Sequence, residues 1–378
     1  MTETLGVGIV GCGNISAAYF KLAPLFKGLE VRACTDLNMA AAEARAKEFG
    51  VKAQETDALL DNPDIAVVIN LTIPDAHYAV TTRALEAGKH VYSEKPFVLS
   101  VEEGKKLKAL ADSKNLRVGS APDTFLGGAH QYARKLIDDG AIGTVTAGTA
   151  YVMSHGMEMW HPNPGFFFQP GAGPVLDVGP YYVADLINLI GPVTRVAAVT
   201  NMATPTRLVT AEGPLKDKEI PVGTPTNVHA LLEFDSGASV MLGASWDVWA
   251  HRHRNIELYG TDGALFVPDP NWFGGTVEVS GKDGKIAEVT QWDHPFGVPN
   301  DIRPSGSYAN YRTAGLADMA MAIIEGRESR CSLDRALHGI DIMTSILKSG
   351  ETKAFVDLTT TCTRAAPLDP AAARALLA

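Results

Sequence analysis

The sequence predicts an N-terminal α/β domain with a doubly wound parallel sheet, residues 1–122. An α+β domain follows, residues 123–378, built on a large, mostly antiparallel open sheet. Three observations carry this. Short apolar runs alternate with helix-period segments as far as about residue 120. A glycine-rich turn follows the first of those runs. From Gly143 onward the pattern changes to strand after strand, separated by glycine-containing turns. The chain has 378 residues, 46% of them hydrophobic. That is enough for two cores at roughly 150 residues per domain.

The first run, Leu5 to Val10, reads as a buried parallel strand. It enters Gly11-Cys12-Gly13-Asn14-Ile15-Ser16, the Gly-x-Gly-x-x-Gly pattern of dinucleotide-binding Rossmann domains with Ser in the third place. Gly11 permits the tight turn, and Gly13 removes the side chain that would block a pyrophosphate. Ser16 is small enough for helix–strand packing, and the next helix offers its first amides to phosphate. Cys12, Asn14 and Ile15 complete the expected contact. The second strand, Leu29 to Thr35, ends at Asp36, where an acid accepts hydrogen bonds from the adenosine ribose. A carboxylate repels a 2′-phosphate, and Leu37 and Asn38 bring no cation, so NAD is expected over NADP. The competing role for Asp36 is to cap the helix Met39 to Phe49, which Gly50 closes.

Alternation continues. Strands are expected at Ile65 to Ile73, His90 to Ser93 and Leu116 to Ser120, and helices at Ala76 to Ala87 and Val101 to Lys114. Ligands bind such sheets beyond the carboxyl ends of the strands. That edge holds Thr72, Pro74, Glu94, Lys95 and Ala121-Pro122.

At Glu94-Lys95-Pro96 the sequence resembles the glucose–fructose oxidoreductase, inositol dehydrogenase and rhizopine catabolism (Gfo/Idh/MocA) family. It is similar in the glycine turn, in the Glu-Lys-Pro after the fifth strand, and in Asp177-Val178-Gly179-Pro180-Tyr181. Gly140 to Gly143 and Ile256 to Gly260 extend the likeness over nearly the whole chain. The resemblance implies an oxidoreductase in which Lys95 is the catalytic lysine beside the nicotinamide and Glu94 contacts that end of the cofactor. It implies a cis bond before Pro96. His77 matches a histidine near the cofactor, and a satisfied histidine at a helix start explains it equally well.

Many members carry His where this chain has Tyr181. Histidine is a usable base near neutral pH, whereas tyrosine, with an ordinary pKa near about 10, needs a cation to stabilise its phenolate. Lys95 is that cation, so the acid/base group reads as a Lys95–Tyr181 pair. Pro180 to Ile190 is expected to be helical, with Asp177, Tyr181 and Asp185 at steps of four on about one face. Asp177 either orients a substrate hydroxyl or caps the helix.

In the second domain, strands are expected at Thr144 to Ser154, Val193 to Asn201, Val228 to Phe234 and Ala238 to Ser245. Others are expected at Asn255 to Gly260, Ala264 to Val267, Val277 to Ser280 and Ile286 to Trp292. Helices are expected at Tyr308 to Glu325 and Leu333 to Lys348. Between the first of these strands and Asp177 runs a proline-rich aromatic loop. Its Trp160 can face a sugar ring, and His161 and Asn163 can bond hydroxyls. The alternative is an aromatic plug. Asp247, His251 and His253 are further candidates, the histidines reading equally as a charged surface run. No metal signature is present.

The net charge of −10 argues against nucleic acid as a partner. No apolar run reaches the ~20 residues of a membrane span, and Met1-Thr2-Glu3-Thr4 leads straight into a strand, so a cytoplasmic protein is expected. Cys12, Cys34, Cys331 and Cys362 read as reduced thiols, with Cys12 and Cys34 at neighbouring strand ends. By analogy with relatives, pairing through the open sheet implies a homo-oligomer, a dimer or tetramer. The expected reaction is NAD-dependent oxidation of a hydroxyl on a sugar, sugar derivative or cyclitol. A retained-NAD enzyme, such as a glycosidase or a sugar–sugar oxidoreductase, and a sugar- or dinucleotide-sensing regulator are the competitors.

Overall fold

The computed structural model describes residues 4–290 and 292–378. The N-terminal run Met1 to Glu3 and position 291, inside the strand expected at Ile286 to Trp292, lie outside the described residues. Two compact units form by chain proximity: Met1–Gly128 with Trp292–Ile340 and Ala365–Ala378, and Ala129–Gln291 with Asp341–Arg364.

The first unit is built on a six-stranded parallel sheet. Its strands are β1 (Leu5–Val10), β2 (Leu29–Thr35), β3 (Lys52–Ala53), β4 (Val67–Asn70), β5 (His90–Ser93) and β6 (Val118–Ser120), in spatial order β3-β2-β1-β4-β5-β6. Helices α1 (Ser16–Leu22), α2 (Met39–Phe49), α3 (Thr56–Asp61), α4 (Pro74–Glu86) and α5 (Val101–Ser113) connect them. Strand order reverses between β1 and β4, and doubly wound sheets bind their ligands at that point. β1 and the first three residues of β4 are apolar, and both strands are buried almost throughout, as in a parallel sheet covered on both faces.

The strand expected at Ile65 to Ile73 is confined to Val67–Asn70. The Asn70 carboxamide oxygen accepts hydrogen bonds from the Thr72 amide (3.2 Å) and hydroxyl (2.6 Å), which turns the chain out of the sheet. The expectation of one boundary near residue 122 meets a different grouping, because part of the C-terminal chain returns to the first sheet. The Ser120 amide donates to Cys331 O (3.2 Å), and Gly119 leaves room for the Met319 sulfur. The returning segment covers β6, an edge that would otherwise expose unpaired backbone groups.

The second unit carries a nine-stranded sheet. In chain order, with a two-stranded hairpin (β9, Thr206–Leu208; β10, Glu219–Pro221) outside it, the strands are β7 (Val145–Met153), β8 (Val193–Asn201), β11 (Asn227–Phe234), β12 (Ser239–Ser245), β13 (Ile256–Gly260), β14 (Gly263–Val267), β15 (Glu278–Gly281) and β16 (Ile286–Glu288). Their spatial order is β16-β15-β14-β13-β7-β12-β11-β8, and the short strand Val356–Asp357 pairs beyond β8. Only β7 and β12 pair in parallel; the other neighbours are antiparallel, in line with the sequence pattern. β11 shows why one face is covered: Val228, Ala230, Leu232 and Phe234 are buried, while His229, Leu231 and Glu233 between them are exposed.

Helices α6 (Gly128–Asp138), α7 (Gly173–Asp177) and α8 (Gly179–Leu189) follow the two-part reading of this region less closely. α6 is absent from the expected elements. From it, His130 meets Asp185 of α8 at 2.8 Å, both side chains fully buried, and its other ring nitrogen contacts Trp272 O at 2.7 Å. Burial alone would lower the His130 pKa, but the Asp185 carboxylate outweighs it and raises the value. A raised histidine pKa contributes stability that is complete below the unfolded value, about 6.5, and is lost as pH rises through the folded value. Thermal stability is therefore expected to decline as pH rises above about 6.5, and Asp185→Asn to flatten that decline while costing about 3 kcal/mol near neutrality. Melting curves against pH for parent and variant check this; equal slopes would contradict it.

Candidate active site

In the first unit the glycine turn is held by its neighbours. Gly11 has φ +100°, and a Cβ there would lie 2.6 Å from Leu71 O, so no other residue fits without moving backbone. Its amide donates to Thr35 O (2.9 Å). Ser16, in the third glycine place, is fully buried and donates its hydroxyl to Gly13 O (2.6 Å). Around a Cβ placed on Gly13, by contrast, there is nothing within 4 Å. The second glycine faces open space, as a close-approaching pyrophosphate requires.

Asp36 closes the turn. One carboxylate oxygen accepts the Cys12 amide at 2.7 Å and the other the Asn38 amide at 2.8 Å. The residue capping α2 is Asn38, with no side-chain cap, so Asp36 ties the two loops together instead of capping the helix. Asn14 and Ile15 are exposed at the start of α1. Leu37 is fully exposed and Ile73 is 67% exposed. Two bare apolar side chains just after β2 and β4 suit the flat faces of a nucleotide base. Sequence reasoning passed over both, although apolar residues directly beyond strand ends were the available signal. It also passed over Arg45. From α2 this residue pairs with Glu48 (2.7 Å) and reaches Gly13 O (3.5 Å), bringing a cation to the turn.

The four cysteines are thiols, three of them buried. Cys12 donates to Thr35 O (3.5 Å) and Cys34 to Ala42 O (3.4 Å). The neighbouring Cys34 and burial push the Cys12 thiol pKa well up, which keeps it protonated and unreactive.

At β4 and β5, Thr72 and Pro74 are half-buried, and Pro74 opens α4. His77 is buried, with its ring between Pro96 O (2.7 Å) and Thr72 O (3.0 Å). Burial lowers its pKa, while the two carbonyl contacts and Glu94 act in the opposite direction. The imidazole thereby ties the β4–α4 turn to the Glu-Lys-Pro segment. Lys95-Pro96 is cis, as expected, and so is Ala121-Pro122. Glu94 and Lys95 are half-buried at the carboxyl end of β5. The Glu94 carboxylate accepts the Tyr19 hydroxyl at 2.8 Å and the Lys95 amide at 2.9 Å.

In the second unit, Asp177 is the last residue of α7, and the cap position of α8 is Val178, without a side-chain cap. Asp177 is thus not the helix cap that its spacing also allowed. Asp177 and Tyr181 are half-buried, while Asp185 is enclosed with His130. Tyr182, next in sequence, is buried and accepts the Asn255 carboxamide (2.8 Å).

The aromatic loop is anchored by charge. Glu158, 3% exposed, pairs with Arg207 of β9 at 3.1 Å, and Arg207 also pairs with Asp247. Asp247 accepts the Thr226 hydroxyl at 2.7 Å, so it belongs to this anchor. Trp160 is 63% exposed and Asn163 is exposed. His161 Nδ1 accepts the Asn163 amide (3.1 Å), which leaves the proton on Nε2. The His161 ring packs edge-on against Trp160, Phe166 and Phe167 at 5.2–5.6 Å between centroids. Phe167 in turn packs on a buried cluster that includes Phe168 and Trp246. The loop therefore combines a plug with an exposed tip. His251 and His253 are exposed, and the His253 ring stacks on Tyr151 at 3.9 Å. Among the described residues, no group of three or more His, Cys, Asp or Glu could hold a metal ion, and no helix is long and apolar enough to cross a membrane.

Comparison with known proteins bears on this arrangement. Residues 5–121 match the model of an oxidoreductase family with an NAD-binding Rossmann fold, and residues 130–266 match the GFO/IDH/MocA C-terminal domain. Levoglucosan dehydrogenase of Pseudarthrobacter phenanthrenivorans is 28% identical over 293 residues, 70% of this chain and 73% of the relative. An inositol 2-dehydrogenase/D-chiro-inositol 3-dehydrogenase of Lacticaseibacillus casei is 34% identical over 116 residues, 29% of this chain and 34% of the relative. The solved structure of a levoglucosan dehydrogenase with NADH and levoglucosan superposes with TM-score 0.78 at 23% identity, covering 95% of this chain and 100% of that one. An oxidoreductase from Agrobacterium radiobacter, solved with NAD+, L-tartaric acid and magnesium, gives 0.75 at 18% identity over 94% and 98%. The chain belongs to the GFO/IDH/MocA oxidoreductases, and its N-terminal sheet is that family's NAD-binding Rossmann domain.

Proposed function

We propose that this oxidoreductase is an NAD-dependent dehydrogenase that oxidises a CH–OH group of a sugar, sugar derivative or cyclitol to a carbonyl. The observation that carries the reading is Lys95 at the carboxyl end of β5, in the NAD-binding domain, with Glu94 held beside it. Relatives that act on levoglucosan and on inositols support the substrate class.

When bound, NAD+ would supply the hydride acceptor for the carbon that bears the hydroxyl, and the hydroxyl proton must leave to the protein. Tyr181 receives that proton as a phenolate stabilised by the Lys95 ammonium, and Asp177 orients the hydroxyl. Gly11, Gly13 and the first turn of α1 would hold the pyrophosphate. Asp36 would take the adenosine ribose, Thr72, Pro74 and His77 would shape the middle of the slot, and Glu94 would meet the carboxamide. Trp160, His161 and Asn163 hold the substrate: the indole faces C–H groups, and the polar pair bonds hydroxyls. Val199, Leu231, Met241 and Tyr259 lie exposed on one face of the open sheet, and that face pairs with a second copy of the chain.

A panel of polyols and aldoses with NAD+ and NADP+, followed at the NADH absorbance, tests the reading. Free NADH is expected to accumulate with at least one sugar, and kcat/KM to favour NAD+ by about tenfold or more through Asp36. Arg45 limits that preference. Sugar conversion without net NADH would replace this reading with a retained-cofactor enzyme. A preference for NADP+ would overturn the role of Asp36.

A further inference from the structure

We infer that Tyr19 is a positioning residue for the nicotinamide end of the cofactor, acting through Glu94; the inference rests on the proposed role of Glu94. Tyr19 lies on α1, three residues beyond Ser16, and is 1% exposed. Its hydroxyl donates to Glu94 Oε1 at 2.8 Å across 75 residues of sequence. The other oxygen, Oε2, accepts the backbone amide of Lys95 at 2.9 Å. Each carboxylate oxygen is thus pinned by one donor, from α1 on one side and from the Glu-Lys-Pro segment on the other.

Two donors at separate oxygens fix the plane of the carboxylate as well as its position. Each oxygen keeps a second lone pair, so the group remains an acceptor with set directions. An ionised carboxylate has acceptors only, so a carboxamide can meet it through its N–H₂ and not through its oxygen. A nicotinamide ring anchored in this way presents one face, and hydride transfer depends on that face. Tyr19 touches neither ring nor substrate on this account; it sets the group that does. The sequence signal was faint: an aromatic side chain inside the first helix reads as core, and only its 2.8 Å contact with Glu94 distinguishes it.

The contact has surroundings that make it firm. Tyr92 of β5 is fully buried nearby, as are Asp123 and Cys331, and Gly315 is held close to Tyr92 and Cys331 because a Cβ there would meet both. Asp123 accepts the amides of Thr313 (3.0 Å) and Gly315 (2.9 Å), which fixes the start of the helix Ala314–Glu325 against this cluster. These contacts fix the helix start behind β5, and the Glu94 carboxylate itself is held by the Tyr19 hydroxyl and the Lys95 amide.

The test measures binding to the full-length protein without turnover. NADH affinity is read by its fluorescence and ADP-ribose affinity by calorimetry, for Tyr19→Phe, Glu94→Gln and the double variant. Phenylalanine keeps the buried ring and removes only the hydroxyl. Each single variant is expected to weaken NADH by about tenfold, the double variant no more than either, with ADP-ribose unchanged within about twofold. ADP-ribose lacks the nicotinamide, so a general loosening of the fold would weaken both ligands, and that result would overturn the inference. Weakening in Glu94→Gln but not in Tyr19→Phe would overturn it while leaving Glu94 at the nicotinamide. No change in either variant would overturn both.

Discussion

Replacing Lys95 by alanine is expected to lower kcat/KM for the sugar substrate by about a thousandfold, roughly 4 kcal/mol of transition-state stabilisation. The size follows from two losses in one substitution. In the proposed mechanism the ammonium both stabilises the phenolate that receives the proton and hydrogen-bonds the reacting oxygen as its charge develops. NADH affinity should stay within about twofold, because the backbone of the Glu-Lys-Pro segment is held independently. Pro96 O is bound by the His77 ring and the Lys95 amide by Glu94, and neither contact uses the lysine side chain. Lys95→Arg keeps the charge but not the compact, rotatable ammonium, so it is expected to restore only part of the rate. Steady-state rates and fluorescence titration of NADH check both halves. Near-normal turnover in Lys95→Ala would remove the lysine from the chemistry.

Tyr181→Phe is expected to cost about a hundred- to a thousandfold in kcat/KM, again with NADH binding intact. The neighbouring tyrosine supplies the control. Tyr182 is buried and its hydroxyl accepts from Asn255, so Tyr182→Phe removes a structural hydrogen bond. That change is expected to cost about 1 kcal/mol of stability and to leave kcat within a few-fold. If both phenylalanine variants lose the same small factor, Tyr181 is another packing tyrosine. The contrast matters because the two side chains sit on adjacent positions of one helix, Tyr182 buried and Tyr181 half-buried.

Elements written by local steric rules were legible in the chain itself. β1, β2, β5, β8 and α2 fall on the expected residues, because an apolar run, a glycine at positive φ and a proline act within a few positions. The glycine turn and Asp36 belong to the same class, since their spacing is set by one βαβ unit. What was illegible depends on partners far along the chain. Nothing near Glu158 announces Arg207, 49 residues away, so the choice between a pocket loop and an aromatic plug stayed open when the base of the loop is an ion pair. His130 and Asp185 are 55 residues apart, and α6 was missed with them. The ambiguity at Asp177 was local but undecidable from spacing, because Asp177 ends α7, a short helix absent from the expected elements, and the cap of α8 falls on Val178. Tyr19 is the extreme case, buried like any core aromatic and separated by 75 residues from the carboxylate it binds.

The central claim is that Lys95 and Tyr181 form one proton-transfer device. A double-mutant cycle measures this directly, with kcat/KM determined for the parent, Lys95→Ala, Tyr181→Phe and the double variant on the best substrate of the sugar panel. The double variant is expected to be about as slow as the slower single one, because removing either member disables the pair. Losses that multiply, to roughly a hundred-thousandfold or more, would show two residues acting independently and would contradict it.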